Sequence, residues 1–340
     1  MKKLLVFLCL AGLIVACKKS TDMLEDHFIV FRPASHLPAP IYKIQDNAVS
    51  EKIFILGRKL FYDPILSRNN TISCGSCHIS QHGFTHHGHD ISHGVDDRLG
   101  IRNSMPLMNL AWSPTFFWDG GVNDLDFTAA APIENHVEMD ENLQNVVHKL
   151  RLNPSYKSMF KEAFGSAEIN SAQLFKALGI FMAMLVTDNA KYDQVMQSKA
   201  SFNDRELRGY NIYRTNCASC HPEPLFTDFT FRNNGLQVNP AQDLGRYNIT
   251  GDEEDKLKFK VPSLRNLKYT APYMHDGRLY TLQAVLNHYT REIVNSATLD
   301  PLLKINKGIN LSLEEQADLL AFLNTLNDET FINNSKFAEQ

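Results

Sequence analysis

The alternation of apolar and polar positions divides the chain into one early apolar run, a polar lead-in and a series of helical stretches. The apolar run covers 4–16 and follows Lys2 and Lys3. It is too short to cross a bilayer, which needs about 20 residues, and it fits the apolar segment of a secretory signal. Residues 20 to 50 are polar, carry Pro33, Pro38 and Pro40, and show no period; they read as a tether and lead-in. Helical spacing begins with Ile53, Leu56 and Leu60, returns over 142–150, and is strongest over 171–187. There Leu174, Phe175, Leu178, Phe181, Met182 and Leu185 form a stripe that reads as core. Asn203 or Asp204 is placed to cap a helix through 206–213. Ser312 and Glu315 form a capping box that opens a helix over 312–326. Residues 80–100 are rich in His, Gly and Asp and read as loop. Strand signals are sparse, so the pattern predicts a mainly α fold with long irregular loops.

Composition narrows the function classes. The 340 residues suffice for two domains, and 44% hydrophobic with 21% charged residues are globular values. A net charge of -4 leaves no broad basic field and argues against nucleic acid. Cysteines stand at 9, 17, 74, 77, 217 and 220, too few for a disulfide scaffold. Ile14-Val15-Ala16-Cys17 resembles a bacterial lipobox. The resemblance implies cleavage before Cys17, a lipid on that residue, and a soluble body tethered to a membrane on the periplasmic side. An ordinary signal peptide with an incidental cysteine is the alternative. Cys9 falls in the segment to be discarded.

The other four cysteines carry the chemistry. They form Cys74-Gly75-Ser76-Cys77-His78 and Cys217-Ala218-Ser219-Cys220-His221, and C-x-x-C-H is the attachment motif of c-type haem. Two thiols add to the porphyrin vinyl groups, and the adjacent histidine supplies a proximal imidazole. A zinc ribbon places its cysteine pairs about 15 to 20 residues apart, far closer than these. A thioredoxin-type pair leaves both histidines unexplained. Secretion agrees, because bacterial c-type haem is attached outside the cytoplasm. The expected organisation is a signal peptide at 1–16, a lipid-anchored tether and lead-in at 17–50, a first haem domain at 51–197 and a second at 198–340. A helix followed by CxxCH and long loops recurs in both halves, a weak internal repeat.

Further motifs lie between and after these sites: Arg102-Asn103, Phe117-Trp118-Asp119-Gly120, Val137-Glu138-Met139, Lys260-Val261-Pro262-Ser263-Leu264-Arg265-Asn266, and Thr270-Ala271-Pro272-Tyr273-Met274-His275-Asp276-Gly277. In this order around two CxxCH sites, the chain resembles the bacterial dihaem cytochrome c peroxidase family, including its MauG-type enzymes, over about residues 51 to 325. The resemblance implies two cytochrome c-like domains, a calcium ion between them, an N-terminal haem that reacts with hydrogen peroxide and a C-terminal haem that transfers electrons. His78 and His221 match the proximal ligands. Glu138 matches the acid over the peroxidatic iron, where a carboxylate moves a proton between the two peroxide oxygens. Trp118 matches the tryptophan between the haems. Asn103, Thr270 and Pro272 match the calcium positions, which carbonyl oxygens can serve.

Three positions depart from the commoner peroxidase pattern. Thr128 stands where the family often has glutamine. Val95 stands where peroxidases that need reductive activation carry a distal histidine, with His93 nearby. Tyr289 stands where many members have an axial methionine, and MauG-type members have tyrosine there; the neighbouring His288 competes for that role. On consecutive helical positions the two side chains point about 100° apart, so only one can face the iron. A phenolate favours ferric iron, whereas a thioether raises the potential. The leading expectation is a peroxidase that takes electrons from a small c-type cytochrome or similar donor, as a possible homodimer. A MauG-type oxidase acting on a protein or organic substrate through Trp118 is the second reading. A dihaem electron-transfer protein without catalysis is the third.

Overall fold

The computed structural model describes residue 31, residues 33–44 and residues 50–340. The signal segment, Cys9 and Cys17 lie outside the described residues. Thirteen α-helices stand among the described residues, separated by long loops and 3-10 turns. The first half carries α1 (Glu51–Tyr62), α2 (Cys74–Cys77), α3 (Ala130–Glu134), α4 (Leu143–Leu152), α5 (Pro154–Phe164) and α6 (Ser171–Ala183). There follow α7 (Lys191–Met196), α8 (Asp204–Asn216), α9 (Tyr247–Thr250), α10 (Leu282–Arg291), α11 (Pro301–Asn306), α12 (Leu313–Asn324) and α13 (Glu329–Ile332). The only sheet among the described residues pairs β1 (Phe231–Arg232) antiparallel with β2 (Phe259–Lys260). The mainly α expectation holds.

The expected caps are present. Asn203 accepts from the Glu206 N–H while Glu206 accepts from the Asn203 N–H, and Ser312 and Glu315 do the same on α12. Helix α5 was not visible in the apolar period. Local chemistry starts it, with Pro154 at the first turn and Asn153 as cap.

Two apolar cores result. The first gathers α1, α6 and the turns around Trp112, with Leu56, Leu60, Phe61, Leu178 and Phe181 buried. The second gathers Tyr213 of α8 with Phe226, Leu319 and Phe322. The same joint builds both. A Cβ added at Gly57 on α1 would stand 2.0 Å from the Ala177 carbonyl on α6, and one at Gly209 on α8 would stand 2.0 Å from the Asp318 carbonyl on α12. In each half, therefore, the helix leading towards CxxCH crosses a later helix backbone to backbone. Phe181 and Phe322 flank the two crossings at corresponding places.

Some segments pack across the expected division. Tyr192 belongs to the second core, and Phe331 and Ile332 of α13 return to the first. Residues 33–44, expected to be part of the lead-in, are docked on the first core. Leu37 and Ile44 are buried there, and the Trp112 indole donates to the Pro38 carbonyl at 2.8 Å.

Candidate active site

The two CxxCH sequences present the same donor set. None of the four described cysteines is in a disulfide, which leaves each available for a thioether bond. His78 Nδ1 donates to the Phe84 carbonyl at 2.7 Å. His221 Nδ1 is shared by the carbonyls of Phe226 at 3.1 Å and Pro262 at 3.0 Å. Phe84 and Phe226 both take left-handed backbone angles (φ 60° and 57°), which turn each loop back over its histidine. Tying Nδ1 to a carbonyl leaves Nε2 to face a metal. Burial lowers both imidazole pKa values and favours the neutral, ligating form. Two thiols and one oriented imidazole per site fit a covalent haem at each.

A large cavity opens beside the second site. Cys217, Cys220 and His221 line one side, and Tyr289 and Met274 also line it. Asn234 Nδ2 lies 3.5 Å from the Tyr289 hydroxyl and 3.4 Å from the Met274 sulfur. Burial pushes the Tyr289 phenol up to about 12, against a smaller downward pull from Asn234. His288 is turned away, its Nε2 3.0 Å from the Asn234 carbonyl. The structure thus separates the two neighbours: Tyr289 lines the cavity and His288 is spent on the backbone. His275 also lines this cavity, stacked on Phe259 with centroids 3.7 Å apart. Its buried Nε2 has no hydrogen-bond partner, so the space suits a group with a polar edge.

Trp118, Asn103, Thr270 and Pro272 also line this cavity. The Trp118 indole donates to the Asn103 carbonyl at 2.9 Å. Asn103 gives its side-chain NH2 to His86 Nε2 at 2.8 Å and the Asp90 carbonyl at 3.0 Å. Arg102 clamps this junction through Asp243 and Asp119. Among the described residues no group of three or more His, Cys, Asp or Glu side chains is arranged to hold a metal.

Glu138 lies on the first haem's side. Its carboxylate is close enough to raise the pKa values of Cys74 and Cys77. Burial pushes its own pKa above the usual carboxylate range, and Asn135, donating to Oε1 at 2.8 Å, pulls it part of the way back. Sequence reasoning missed Asn135. Its signal is local, since it caps the turn to Val137 that aims Glu138. Val95 is fully buried, and its N–H donates to the Glu138 carbonyl at 2.7 Å. His93 is paired with Asp97 at 2.6 Å, with its side chain 40% exposed. Thr128 spends its hydroxyl on the Leu125 carbonyl at 2.7 Å and offers no proton there.

Two CxxCH sites, with a tryptophan on the cavity beside one and a half-buried carboxylate near the other, fit a dihaem c-type cytochrome. Comparison with known proteins gives the family. Residues 51–201 match the family model described as di-haem cytochrome c peroxidase. The chain is 34% identical over 312 residues to the methylamine utilization protein MauG of Methylorubrum extorquens, covering 88% of this chain and 84% of that one. It is 35% identical over 283 residues to the cytochrome c551 peroxidase of Nitrosomonas europaea, covering 80% and 78%. A crystal structure of a MauG-like protein associated with microbial copper homeostasis superposes with a TM-score of 0.83 at 32% identity, covering 91% of this chain and 99% of that one. The chain belongs to the di-haem cytochrome c peroxidase family, which includes the MauG-like enzymes. It is an oxidoreductase of the peroxidase class, with two c-type haems as cofactors.

Proposed function

We propose that the enzyme reduces hydrogen peroxide to water at the first haem, with electrons supplied by a small c-type cytochrome through the second. The observation that carries this reading is Glu138, a half-buried carboxylate with a raised pKa whose backbone is held by the Val95 N–H, two residues after the His93 carbonyl that meets Cys77 Sγ of the first CxxCH. Bound haem iron supplies the redox chemistry at each site. Cys74, Cys77 and His78 hold the first haem; Cys217, Cys220, His221 and Tyr289 hold the second. Glu138 accepts a proton from one peroxide oxygen and returns it to the other, acting as base and then acid. Asn135 fixes one carboxylate oxygen and leaves the other for this transfer. Overall, one peroxide, two electrons and two protons give two waters. Trp118 lies on the electron path, and Asn103, Thr270 and Pro272 hold a calcium ion beside it. Lipid on Cys17 tethers the protein to the periplasmic side of a membrane, and a homodimer is part of the same reading.

Steady-state peroxide consumption, with and without reduced cytochrome c, tests the proposal. Turnover that requires the cytochrome supports it, and absence of any reaction with peroxide would overturn it. The ferric protein as isolated should already show one high-spin haem by EPR, because Val95 is buried near Glu138 and His93 is held by Asp97. Two low-spin haems, with one relaxed to high spin by His93→Ala, would restore activation by ligand displacement.

A MauG-type oxidation of a protein or organic substrate is the second reading, and Tyr289 on the cavity wall favours it. Tyr289→Phe should alter only the second haem's optical and EPR spectra and leave peroxide binding at the first intact. Unchanged spectra in this variant, with altered ones in His288→Ala, would transfer the ligand role to His288.

A further inference from the structure

Five histidines, at 82, 86, 87, 89 and 93, crowd the loop after the first CxxCH. Geometry gives them different capacities. His82 and His87 stack with centroids 4.0 Å apart and planes 6° apart. An ion lies near the plane of each imidazole that ligates it, so two parallel stacked rings cannot share one. His86 has both nitrogens engaged, Nε2 with Asn103 at 2.8 Å and Nδ1 with Ser104 Oγ at 3.1 Å.

His89 and His93 differ from these three. Their centroids are 4.7 Å apart and their planes meet at 70°. Two imidazoles on one ion, at metal–nitrogen distances of about 2.0–2.1 Å and ligand angles of roughly 90° to 109°, have centroids about 4.4 to 5.1 Å apart. The observed separation falls within that range. Each ring also has its Nδ1 tied, His89 to the Ile91 carbonyl at 2.6 Å and His93 to the Asp97 carboxylate at 2.6 Å. That is the outer-sphere pattern of ligating histidines, and it leaves both Nε2 atoms as donors. The partial exposure of His93 lets water complete the coordination shell.

We propose that His89 and His93 bind one borderline divalent cation of the zinc or copper(II) class through Nε2, with Asp97 as positioning residue for His93. Imidazole donors select these ions over calcium or magnesium. The site sits on a working part of the fold. The His93 carbonyl lies 3.7 Å from Cys77 Sγ, and two residues later the Val95 N–H holds the Glu138 carbonyl. A bound ion would fix the turn behind Glu138.

Isothermal titration of the chelator-treated dihaem protein with zinc chloride tests this. One saturable zinc per chain is expected. His89→Ala and His93→Ala should each weaken binding by at least tenfold, and Asp97→Asn by about tenfold through loss of the outer-sphere bond. The double variant His82→Ala/His87→Ala should bind as the parent does. A pyridine haemochrome measurement checks that each variant keeps two haems, with His93→Gln replacing any alanine variant that does not. No saturable zinc binding, or binding that survives both the His89 and His93 substitutions, would overturn the proposal.

Discussion

Replacing Glu138 with glutamine should slow peroxide reduction by about a hundredfold or more while both haems remain attached, the usual loss when a general acid–base group is removed. Glutamine keeps the shape and can still meet Asn135, but it cannot take up a proton. The pH profile gives a second readout. Burial holds the Glu138 pKa above the usual carboxylate range. The parent rate should therefore fall as pH drops through that raised value, because the carboxylate is needed as the base. In Glu138→Gln this acid limb should disappear. A glutamine variant that reacts with peroxide at the parent rate would remove Glu138 from the mechanism. A variant with one haem would instead show that the substitution damaged the fold.

Replacing Arg265 with methionine should destabilise the protein by roughly 3–5 kcal/mol, because it leaves the buried Asp193 carboxylate with only His36 and the Ala190 N–H as partners. Arg265 is 0% exposed and grips Asp193 with both terminal nitrogens, at 2.8 and 2.7 Å. It also donates to the Pro224 carbonyl, which ties α7 to the loop after the second CxxCH. Burial alone would raise the Asp193 pKa, but the Arg265 guanidinium outweighs it and holds the carboxyl below the ordinary range. The sign follows from the lowered value. This stabilisation is fully present above the unfolded carboxyl pKa of about 3.9 and is lost as pH falls through the folded one. The gap between parent and Arg265→Met in denaturant unfolding should therefore be widest near neutral pH and narrow towards acid. Asp193→Leu together with Arg265→Met should cost less than the single change, since no charge is stranded. Equal midpoints for Arg265→Met and the parent at pH 7 would show that the pair contributes little.

Some features were legible in the sequence because they are local. The two CxxCH sites need only neighbouring residues on one turn. The capping box at Ser312 and Glu315 and the cap at Asn203 are set within four residues, so reading them required no tertiary knowledge. The apolar stripe over 171–187 predicted a core helix, and α6 is buried along most of its length. The helical angle showed that His288 and Tyr289 could not share one direction, but not which of them enters the cavity.

Long-range contacts decided the rest. Tyr289 lines the cavity because the loop carrying Asn234 supplies a carbonyl that captures His288. Asn135 is in place because its turn must aim Glu138, and the raised pKa of that carboxylate arises from burial that no sequence period encodes. The duplicated helix crossings at Gly57 and Gly209 occur at different distances from their CxxCH sites, so the repeat is clear only where backbones touch. The physical reason is common to all of these. Covalent attachment motifs and helix caps depend on the spacing of adjacent residues, whereas ligand choice, proton affinity and core contact depend on which distant groups pack or withdraw water.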